Sequence, residues 1–537
     1  MRKLVFILLG QGALMGAAFA ACSVDGRSGD PGPVEVAEEA ISSSVVFAID
    51  PGDGGIPDEH CRLSSTLLAS YTAGRQVRIQ ATNGGLSHLA LCTVDGTAHG
   101  VADGGTLVYL NTEYADKRLG LTSGTVSGTV TNENGLGATR VAQPKTFPAV
   151  GTSLTSDGIK QNIYEYARYA DAGVSVAYTA PHGRFEEWTE LQVQLIADSD
   201  STARNAVWAV RYATDGGSNL DHFHITATDI DFASFPDLGN IDGLNLPYAV
   251  SFHGFGTTGH SIQNDGGIVD AGGCSPGDAG LAGETGNYYV IVGGGEQEIF
   301  RRGVAETIEE FWREKQVLAG KRALWRLPLL DCTASTGDKG LRGSASANFV
   351  NRLAPGNAGV QLEQLTAVRT DATARDAVAR AVKSIYDCLL DGDDEFIQVA
   401  ITSPATATRS STSTSYISPS DQCPHYVVGV AGRQSGPTLA FDAKPKDASC
   451  SNGARVYVSV YKKNGTRWER LGGGRRIFAN VSGACQVVDD SGYTAVSGVT
   501  ADATDYRVVA RVMTNPTSGD GAPMDAEVSV TKTPGSP

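Results

Sequence analysis

Residues 173–190 read GVSVAYTAPHGRFEEWTE and contain, in order, a strand signal, a histidine, a tight turn and two glutamates. The apolar run at 173–180 is typical of a buried strand, and Glu190–Ala197 has the apolar spacing of a helix. Helical patterns return at Ile299–Lys315 and Asp371–Leu390. Strands that alternate with helices favour an α/β layer fold with a largely parallel sheet, in which catalytic groups collect at strand ends.

The pattern changes on both sides of this region. Residues 43–145 carry short alternating runs separated by Gly, Asn and Asp, which predict an N-terminal β-rich domain. The alternation of strands and helices occupies 146–391. From 392 to 537 strand signals alternate with glycine-rich turns, which predict a C-terminal β-sandwich. We therefore expect a multidomain protein whose central α/β domain is flanked by two β domains.

The start of the chain predicts export. Residues 1–21 contain basic residues and then an apolar run that is too short to span a membrane comfortably, as in a secretory signal peptide. The run ends FAAC, which resembles the bacterial lipoprotein box with Phe19 in place of the usual Leu. Cys22 is therefore a candidate for lipidation, and ordinary cleavage before it is the alternative. Residues 22–42 are rich in Gly and Pro and predict a flexible tether. We expect a lipid-anchored bacterial surface protein or a secreted one.

Composition limits the classes of partner. The 537 residues include 65 glycines, a content above the usual ~7% that favours a turn-rich protein. Lys and Arg number 43 against 59 Asp and Glu, which gives a net charge of −16. Nucleic acids and anionic membranes both require a basic surface, so we expect no nucleic-acid partner. Any membrane association is expected only through a lipid at Cys22.

Eight cysteines remain besides Cys22, an even number, and none of them forms the CxxC pair that favours structural zinc. In an exported chain this predicts disulfides. We predict the pair Cys61–Cys92. The sequence does not choose among pairings of the others, which are Cys274, Cys332, Cys388, Cys423, Cys450 and Cys485.

Histidines at strand ends indicate a metal site. His182 ends the strand signal at 173–180, and Glu186 and Glu187 follow it on a turn that contains glycine. Zinc hydrolases commonly bind the ion with two His and one Glu and keep the fourth position for water. His253, at the end of a second strand signal, would supply the third ligand. A surface histidine beside solvated carboxylates is the alternative that these residues leave open.

Five short segments add to this pattern. They are APHGRFEEWT at 180–189, FHITAT at 223–228 with a strand-like alternation, VSFHG at 250–254, YYVIVGGG at 288–295 and NFVNRLAPGNAGVQLEQ at 348–364. In order and character they resemble the poly-γ-glutamate hydrolase family, zinc enzymes with a carboxypeptidase-like fold that cut poly-γ-glutamate. The resemblance covers roughly 146–391, under half of the chain. It implies a zinc-carboxypeptidase-like central domain with a mixed, largely parallel sheet.

The resemblance implies one zinc ion held by His182, Glu186 and His253. This chain has one residue fewer than the family between His182 and Thr189. Counting forward from the histidine makes Glu187 the ligand, whereas counting back from the threonine makes it Glu186. We favour Glu186, because the dipeptide that it forms with the preceding Phe reproduces the family's apolar-acidic pair.

Other residues are candidates for catalysis and substrate binding. Glu363 matches the position of the family's general base, with a solvent-facing strand Glu as the alternative. Arg352, beside Asn348 and Asn351, is placed to hold a substrate carboxylate in the bidentate manner of arginine, or forms a surface ion pair. His224 is a candidate for holding the oxyanion or orienting substrate, and a hydrogen-bonded core histidine is equally consistent with its position.

An anionic γ-glutamyl polymer and an acidic enzyme repel each other, so this substrate requires a local cationic groove. Basic residues outnumber acidic ones between Arg301 and Arg326, and Arg184 and Arg352 would add to them. The alternative is a helix surface of paired charges.

A Gly- and Asp-rich insertion, Gly256–Gly286, follows the His253 segment. It is either a lid over the cleft or an insertion without a functional role.

These observations favour an exported zinc hydrolase that cleaves γ-linked glutamyl amide bonds with a metal-activated water and a Glu base. A zinc amidohydrolase acting on peptidoglycan stem peptides is the second candidate. The third is a non-catalytic surface binding lipoprotein, for which the shortened loop between His182 and Thr189 is the best argument.

Overall fold

Strands dominate both ends of the chain and alternate with helices between them. The computed structural model describes residues 41–533 except 53–54, 58, 100–104, 133–139, 155–161, 171, 187, 201–203, 214–221, 256–287, 316, 319–321, 325–342, 391–395, 401–410, 418–424, 432–437, 501–504 and 515–523. The predicted leader, most of the tether with Cys22, Glu187 and the insertion Gly256–Gly286 lie outside the described residues.

The N-terminal region forms a closed barrel of six strands with the order β1-β5-β2-β4-β3-β6. Alternation decides which side chains fill it: in β3, Val77, Ile79 and Ala81 are buried, whereas Gln80 points outward. The elements are β1 (Ile41–Ile49), β2 (His60–Leu63), α1 (Ser65–Leu68), β3 (Gln76–Asn83), β4 (Leu86–Val94), β5 (Leu107–Leu110), α2 (Thr112–Leu119) and β6 (Thr125–Asn132).

The central region contains an eight-stranded mixed sheet with the order β13-β12-β14-β11-β9-β10-β8-β7. All neighbouring strands are parallel except the pairs β12–β14 and β10–β8. The strands are β7 (Gln143–Thr146), β8 (Asn162–Arg168), β9 (Val176–Gly183), β10 (Asn205–Ala213), β11 (Tyr248–Phe255), β12 (Tyr288–Gly294), β13 (Arg322–Leu324) and β14 (Val360–Leu365). The prediction of a multidomain protein with a mixed sheet at its centre is confirmed.

Helices cover both faces of this sheet. They are α3 (Thr189–Ser199), α4 (Pro236–Gly243), α5 (Glu298–Glu314), α6 (Phe349–Leu353), α7 (Thr366–Thr370) and α8 (Ala372–Leu390), and a 3-10 turn spans Pro355–Asn357. Val176 and Tyr178 of β9 join the core under α3, α5 and α8, whereas Ala177 between them joins the core under α4 and α6. A strand that is buried on both faces reads as a continuous apolar run, which explains the signal at 173–180.

Helix α8 matches its prediction closely. Its buried face contains all six apolar positions with helical spacing, namely Ala374, Val378, Ala381, Val382, Ile385 and Leu389. Asp371 precedes the helix and caps it, since its Oδ1 accepts hydrogen bonds from the backbone N–H groups of Thr373 and Ala374 at 2.8 and 2.9 Å.

The C-terminal region contains a seven-stranded and a four-stranded sheet. Side chains from both, including Phe441 of the smaller sheet and Val458 of the larger, form one core, as in a β-sandwich. The strands are β15 (Phe396–Ala400), β16 (Ser411–Ile417), β17 (His425–Ala431), β18 (Thr438–Pro445), β19 (Ala454–Asn464), β20 (Arg467–Val481), β21 (Ala484–Asp489), β22 (Tyr493–Thr494), β23 (Val496–Thr500), β24 (Asp505–Thr514) and β25 (Ala526–Thr533).

The central sheet includes β7 at Gln143–Thr146, which lies at the predicted start of the central region. One expectation about local structure is corrected. The segment FHITAT at 223–228 is not a strand but an irregular loop that starts with a short helical turn. Its alternation of polar and apolar residues comes from a loop that is buried on one side, where Phe223 and Ile225 enter the core beneath it.

Among the described residues, two disulfides have both cysteines in the β domains. The predicted pair Cys61–Cys92 is confirmed, with Cα atoms 5.8 Å apart. A second disulfide, Cys450–Cys485, has a Cα separation of 5.2 Å and lies in the C-terminal region. No helix among the described residues is both long enough and apolar enough to cross a bilayer.

The Cys61–Cys92 disulfide closes a chain separation of 31 residues in the barrel. Because such a loop restricts the unfolded chain, replacing both cysteines by serine is expected to lower the barrel's opening free energy by about 3–4 kcal/mol. Hydrogen exchange of β3 and β4 measures this change. The matched pair Cys450→Ser/Cys485→Ser should leave barrel exchange unaltered, and equal protection of the barrel in all three proteins would contradict the prediction.

Candidate metal centre

Two buried histidines meet at one edge of the central sheet. His182 lies near the end of β9 and His253 near the end of β11, and these strands are parallel neighbours. Parallel strands bring their carboxyl ends to the same edge. Both side chains are about 2% exposed and their ring centroids are 5.0 Å apart. The sheet therefore brings together the two histidines that the sequence singled out.

A bulge in β9 sets the direction of His182. Between the pairs that Ala180 and Gly183 make with β10, β9 has two residues where β10 has one. The extra residue falls at Pro181 and His182, and a bulge tolerates proline, which cannot donate to the ladder. A Cβ atom on Gly183 would lie 2.5 Å from a backbone oxygen of β10, so only glycine allows this close approach.

The turn after β9 delivers Glu186 to the histidines. The backbone N–H of Glu186 donates to the carbonyl of His182 at 3.0 Å, and Arg184 takes the left-handed conformation with φ of 76°. Glu190 at the start of α3 braces the turn, because its carboxylate accepts from the backbone N–H of Arg184 at 3.3 Å and pairs with Arg211 at 3.2 Å. The shortened loop therefore still places a carboxylate in the site.

The carboxylate of Glu186 lies between both imidazoles. Its Oε1 is 2.7 Å from Nδ1 of His182, and its Oε2 is 3.5 Å from Nδ1 of His253. Oε2 also accepts from the backbone N–H of Gly254 at 3.0 Å. Burial alone would raise the pKa of Glu186, but the facing imidazoles outweigh it and lower that pKa below its usual value. Glu186 is therefore an ionised, buried ligand candidate.

The donor set fits zinc. Nε2 of His182 donates to the carbonyl oxygen of Ile225 at 2.9 Å, so Nδ1 is the nitrogen that faces Glu186 and would bind a metal. Tetrahedral zinc with bonds of about 2.1 Å separates its ligand atoms by ~3.4 Å. The 3.5 Å between Glu186 and His253 matches that separation, whereas the 2.7 Å between Glu186 and His182 is a direct hydrogen bond that would lengthen when an ion binds. Nδ1 of His253 faces Glu186, and its other ring nitrogen, Nε2, is buried without a hydrogen-bond partner among the described residues.

His224 also joins the cluster, although the sequence suggested only a substrate or oxyanion role for it. Its ring centroid is 4.8 Å from that of His182. One ligand atom from each of His182, Glu186 and His224 can be chosen so that all lie within 4.8 Å of one another. Nδ1 of His224 is already hydrogen-bonded to the carboxylate of Glu59 from the barrel. This bond leaves Nε2 of His224 for the site, so His224 is a second candidate for the third ligand. We keep His253 as the predicted third ligand because its Nδ1 faces the carboxylate of Glu186.

Glu363 lies beside the proposed ligands. It is paired in register with His253 across the parallel strands β11 and β14, and it is 5% exposed. Gln361 donates to its Oε1 at 2.7 Å, and Asn348 donates in turn to Gln361 at 2.6 Å. Burial, followed by the negative charge of Glu186, raises the pKa of Glu363 well above its usual value. This carboxyl group therefore has a high affinity for a proton.

The two asparagines predicted to bind substrate are buried and engaged by the protein. Asn348 caps α6 by accepting from Val350 and donates to Gln361. Asn351 donates to the carbonyl groups of residues 343 and 345 at 2.7 and 2.8 Å and accepts from the backbone N–H of Gly295 at 2.8 Å. Both side chains are buried and fix the wall of the site, and direct substrate contact by either of them stays a prediction.

The arginines that were predicted to form a cationic substrate groove fall into two groups. Arg184 is exposed on the turn that carries Glu186, and Arg352 is exposed with its guanidinium 4.3 Å from the ring centroid of Phe232. Substrate binding by these two arginines stays a prediction. Arg301 instead donates to the carbonyl of Glu296, and Arg302 pairs with Glu306 at 2.7 Å.

Helix α5 therefore carries the paired charges of the alternative interpretation, and its first turns do not form a free cationic groove. The basic residues between 319 and 321 and beyond 325 in this stretch lie outside the described part of the chain.

Sequence reasoning missed three polar neighbours of the site. Gln361 could have been found, since it lies two residues before Glu363 and so on the same strand face. Arg369 packs so closely on the residue after His253 that a Cβ on Gly254 would lie 2.2 Å from its Nε. Glu59 could not have been found, because no local pattern links it to a histidine 165 positions later.

Comparisons with known proteins give fold-level likenesses only. No family model and no curated protein matches the chain. A bacteriophage poly-γ-glutamate hydrolase is 18% identical and covers 42% of this chain and 89% of its own, with a TM-score of 0.25. A zinc-free structure of YNDL is 14% identical over 46% of this chain and 99% of that one, with a TM-score of 0.26.

A third solved structure, an N-acetylmuramoyl-L-alanine amidase from Clostridium difficile 630, is 10% identical over 41% of this chain and 100% of its own, with a TM-score of 0.22. At these identities and TM-scores the likenesses do not identify an activity. The chemistry of the site must be inferred from its own side chains.

Metal analysis tests the ligand assignment. The purified protein is expected to retain about one zinc ion per chain after dialysis, and His253→Ala to lose it, because a His-Glu-His set holds zinc through three protein ligands. His224→Ala should keep the ion, since the three ligands remain. The control His88→Ala changes a barrel histidine outside the cluster and should also keep it. Full zinc content in His253→Ala would refute the assignment.

Proposed function

We propose that this protein is an exported zinc-dependent hydrolase that cleaves γ-linked glutamyl amide bonds, with poly-γ-glutamate as its polymer and a zinc-carboxypeptidase-like central domain. The observation that carries the proposal is the convergence of His182, Glu186 and His253 at one sheet edge with Glu363 beside them. Two strand-end imidazoles and a carboxylate on a turn form a zinc-binding set, and the second carboxylate is a candidate base.

Each group in the site has its own part in the proposed reaction. Bound zinc would polarise the amide carbonyl and lower the pKa of a water molecule. Glu363 takes up the proton of the attacking water and passes it to the leaving nitrogen, and the proton affinity that burial and Glu186 impart favours the uptake. Gln361 holds one carboxylate oxygen of Glu363, so the other oxygen remains for the reaction.

Two arginines support a substrate rich in carboxylates. Arg184 adjoins the turn that carries Glu186, and Arg352 lies against the loop that carries His224, where it donates to the carbonyl of Ile230. Both are exposed in a protein with a net charge of −16, so the positive charge that a polyanion requires is local. Planar guanidinium groups bind carboxylates in a bidentate manner.

The shortened loop was the best argument for a binding protein without activity. That argument no longer favours an inactive protein, since the carboxylate of Glu186 lies against both imidazoles although the loop is one residue shorter. Disulfides are typical of exported proteins, and Cys61–Cys92 and Cys450–Cys485 are consistent with export. A lipid at Cys22 belongs to the same proposal and would hold the enzyme at the cell surface.

Incubation with polymers tests the substrate. The protein is expected to shorten purified poly-γ-glutamate, seen as a shift to faster bands on a gel and as oligomers by mass spectrometry. Peptidoglycan, whose stem peptides also contain γ-glutamyl links, serves as the parallel substrate. Cleavage of peptidoglycan alone would replace the proposed polymer, and no cleavage of either by zinc-loaded protein would defeat the proposed activity.

Removing the base tests the mechanism. Glu363→Gln is expected to lower kcat by about 10²–10⁴-fold, the range for loss of a general base, because the amide keeps the shape but cannot accept a proton. Zinc content should be unchanged, since Glu363 is not a proposed ligand. Glu298→Gln, an exposed change in the same domain, is the control. A Glu363→Gln variant with normal turnover would exclude this residue as the base.

A further inference from the structure

The loop that carries His224, residues 222–235, takes part of its backbone hydrogen bonding from the barrel. Both polar atoms of the side-chain amide of Gln76, in β3, bond the backbone of this loop. Its Oε1 accepts from the backbone N–H of Asp231 at 2.9 Å, and its Nε2 donates to the carbonyl of Asp229 at 2.7 Å. An irregular segment has no ladder of its own, so buried backbone groups need such partners. The loop is therefore shaped by another domain.

Glu59 makes the contacts nearest to the metal centre. One carboxylate oxygen bonds Nδ1 of His224. The other accepts from both the backbone N–H and the hydroxyl of Thr226, at 2.7 Å each. Glu59 has φ of 65°, an uncommon conformation for a residue other than glycine, and its side chain is 12% exposed. The carboxylate is thus fully engaged and held in one place.

Arg118 of α2 fixes this pair from the other side. Its guanidinium donates to the carbonyl of His224 at 3.1 Å and lies 3.9 Å from the carboxylate of Glu59. The side chain is 5% exposed, so water does not screen the ion pair fully. Both the ring and the backbone of His224 are therefore held by barrel residues.

The same contacts determine which ring nitrogen of His224 remains available to the site. Nδ1 is bonded to Glu59, which leaves Nε2 as the nitrogen available on the ring, and the ring lies 4.8 Å from that of His182 and 5.8 Å from that of Phe185. A carboxylate that bonds one imidazole nitrogen fixes the orientation of the ring and the role of the other nitrogen.

We propose that the N-terminal barrel completes the active site, with Glu59 as the positioning residue that orients the ring of His224 toward the metal centre and its substrate. The inference deepens the proposed hydrolase function and rests on it for its rate measurements. A barrel that served only as a spacer would not need a buried carboxylate at the rim of the site.

Barrel docking does not depend on Glu59. Arg75 pairs with Asp231 through two hydrogen bonds of 2.9 and 2.8 Å. Leu89 and Leu91 of β4 enter the same apolar core as Trp208 of the central sheet. Substitution at Glu59 is therefore expected to release the ring of His224 and leave the domains associated.

A double-mutant cycle in the full chain tests the proposal. Glu59→Ala is expected to lower kcat on poly-γ-glutamate by about 10–100-fold, the usual effect of losing a carboxylate partner of a site histidine. Glu59→Gln should lose less, because its amide oxygen still accepts from Nδ1. In a His224→Ala background, Glu59→Ala should cost nothing further. Glu113→Gln removes the same charge from an exposed barrel position and is the control.

Two results would overturn the proposal: normal turnover in Glu59→Ala, or a loss that is fully additive with that of His224→Ala. A readout without turnover is the ¹⁵N resonance of the His224 ring, assigned through His224→Gln. It is expected to shift in Glu59→Ala and to stay in Glu113→Gln. If the native protein cuts neither polymer, the proposed function fails on its own, and an unshifted ring resonance would still reject the positioning role of Glu59.

Discussion

A buried, ionised carboxylate between two buried imidazoles is the constraint on which the rest of the site depends. Glu186 approaches both rings because the bulge in β9 turns His182 and because Gly183 lets the turn pass close to β10. Charge of this kind is costly inside a protein unless it is paired or binds a metal. The surrounding protein keeps it in place, with the backbone of Gly254 on one side and the brace of Glu190 beneath the turn.

The central domain could be predicted from the sequence where the cause was local or periodic. The apolar face of Ala372–Leu390 follows from helical spacing, and His182 and His253 follow from strand signals that end in histidine. The prediction of a strand at 223–228 was wrong, because a loop that is buried on one side has the same alternation of polar and apolar residues as a strand. Side chains from the barrel bind the backbone of this loop.

Contacts between distant residues limited what the sequence could show. Asn348 and Asn351 looked accessible in a polar segment, yet the start of α6 turns them inward, where their amides bond the wall of the site. Glu59 and Arg118 have no sequence pattern that connects them to His224, because they lie more than 100 positions before it in the chain. Residues that position a site from another domain therefore need the structure for their discovery.

The positions of the basic side chains show what they contact in this acidic protein. Basic residues of α5 such as Arg302 bind acidic partners and the C-terminal region, where Arg302 donates to the hydroxyl of Thr494. Trp468 of that region enters the core of the central domain, and Arg467 pairs with Glu296. These charges join domains, whereas Arg184 remains exposed beside the site. Local positive charge for the proposed anionic polymer would come from exposed residues such as Arg184.

Zinc anomalous diffraction tests the central claim most directly. In a crystal grown with zinc, difference maps recorded on either side of the zinc absorption edge should show one strong peak. We predict that it lies between Nδ1 of His182, the carboxylate of Glu186 and Nδ1 of His253, within bonding distance of all three and beside Glu363. A peak that lacks any of these three ligands, or a site that stays empty at saturating zinc, would contradict the account.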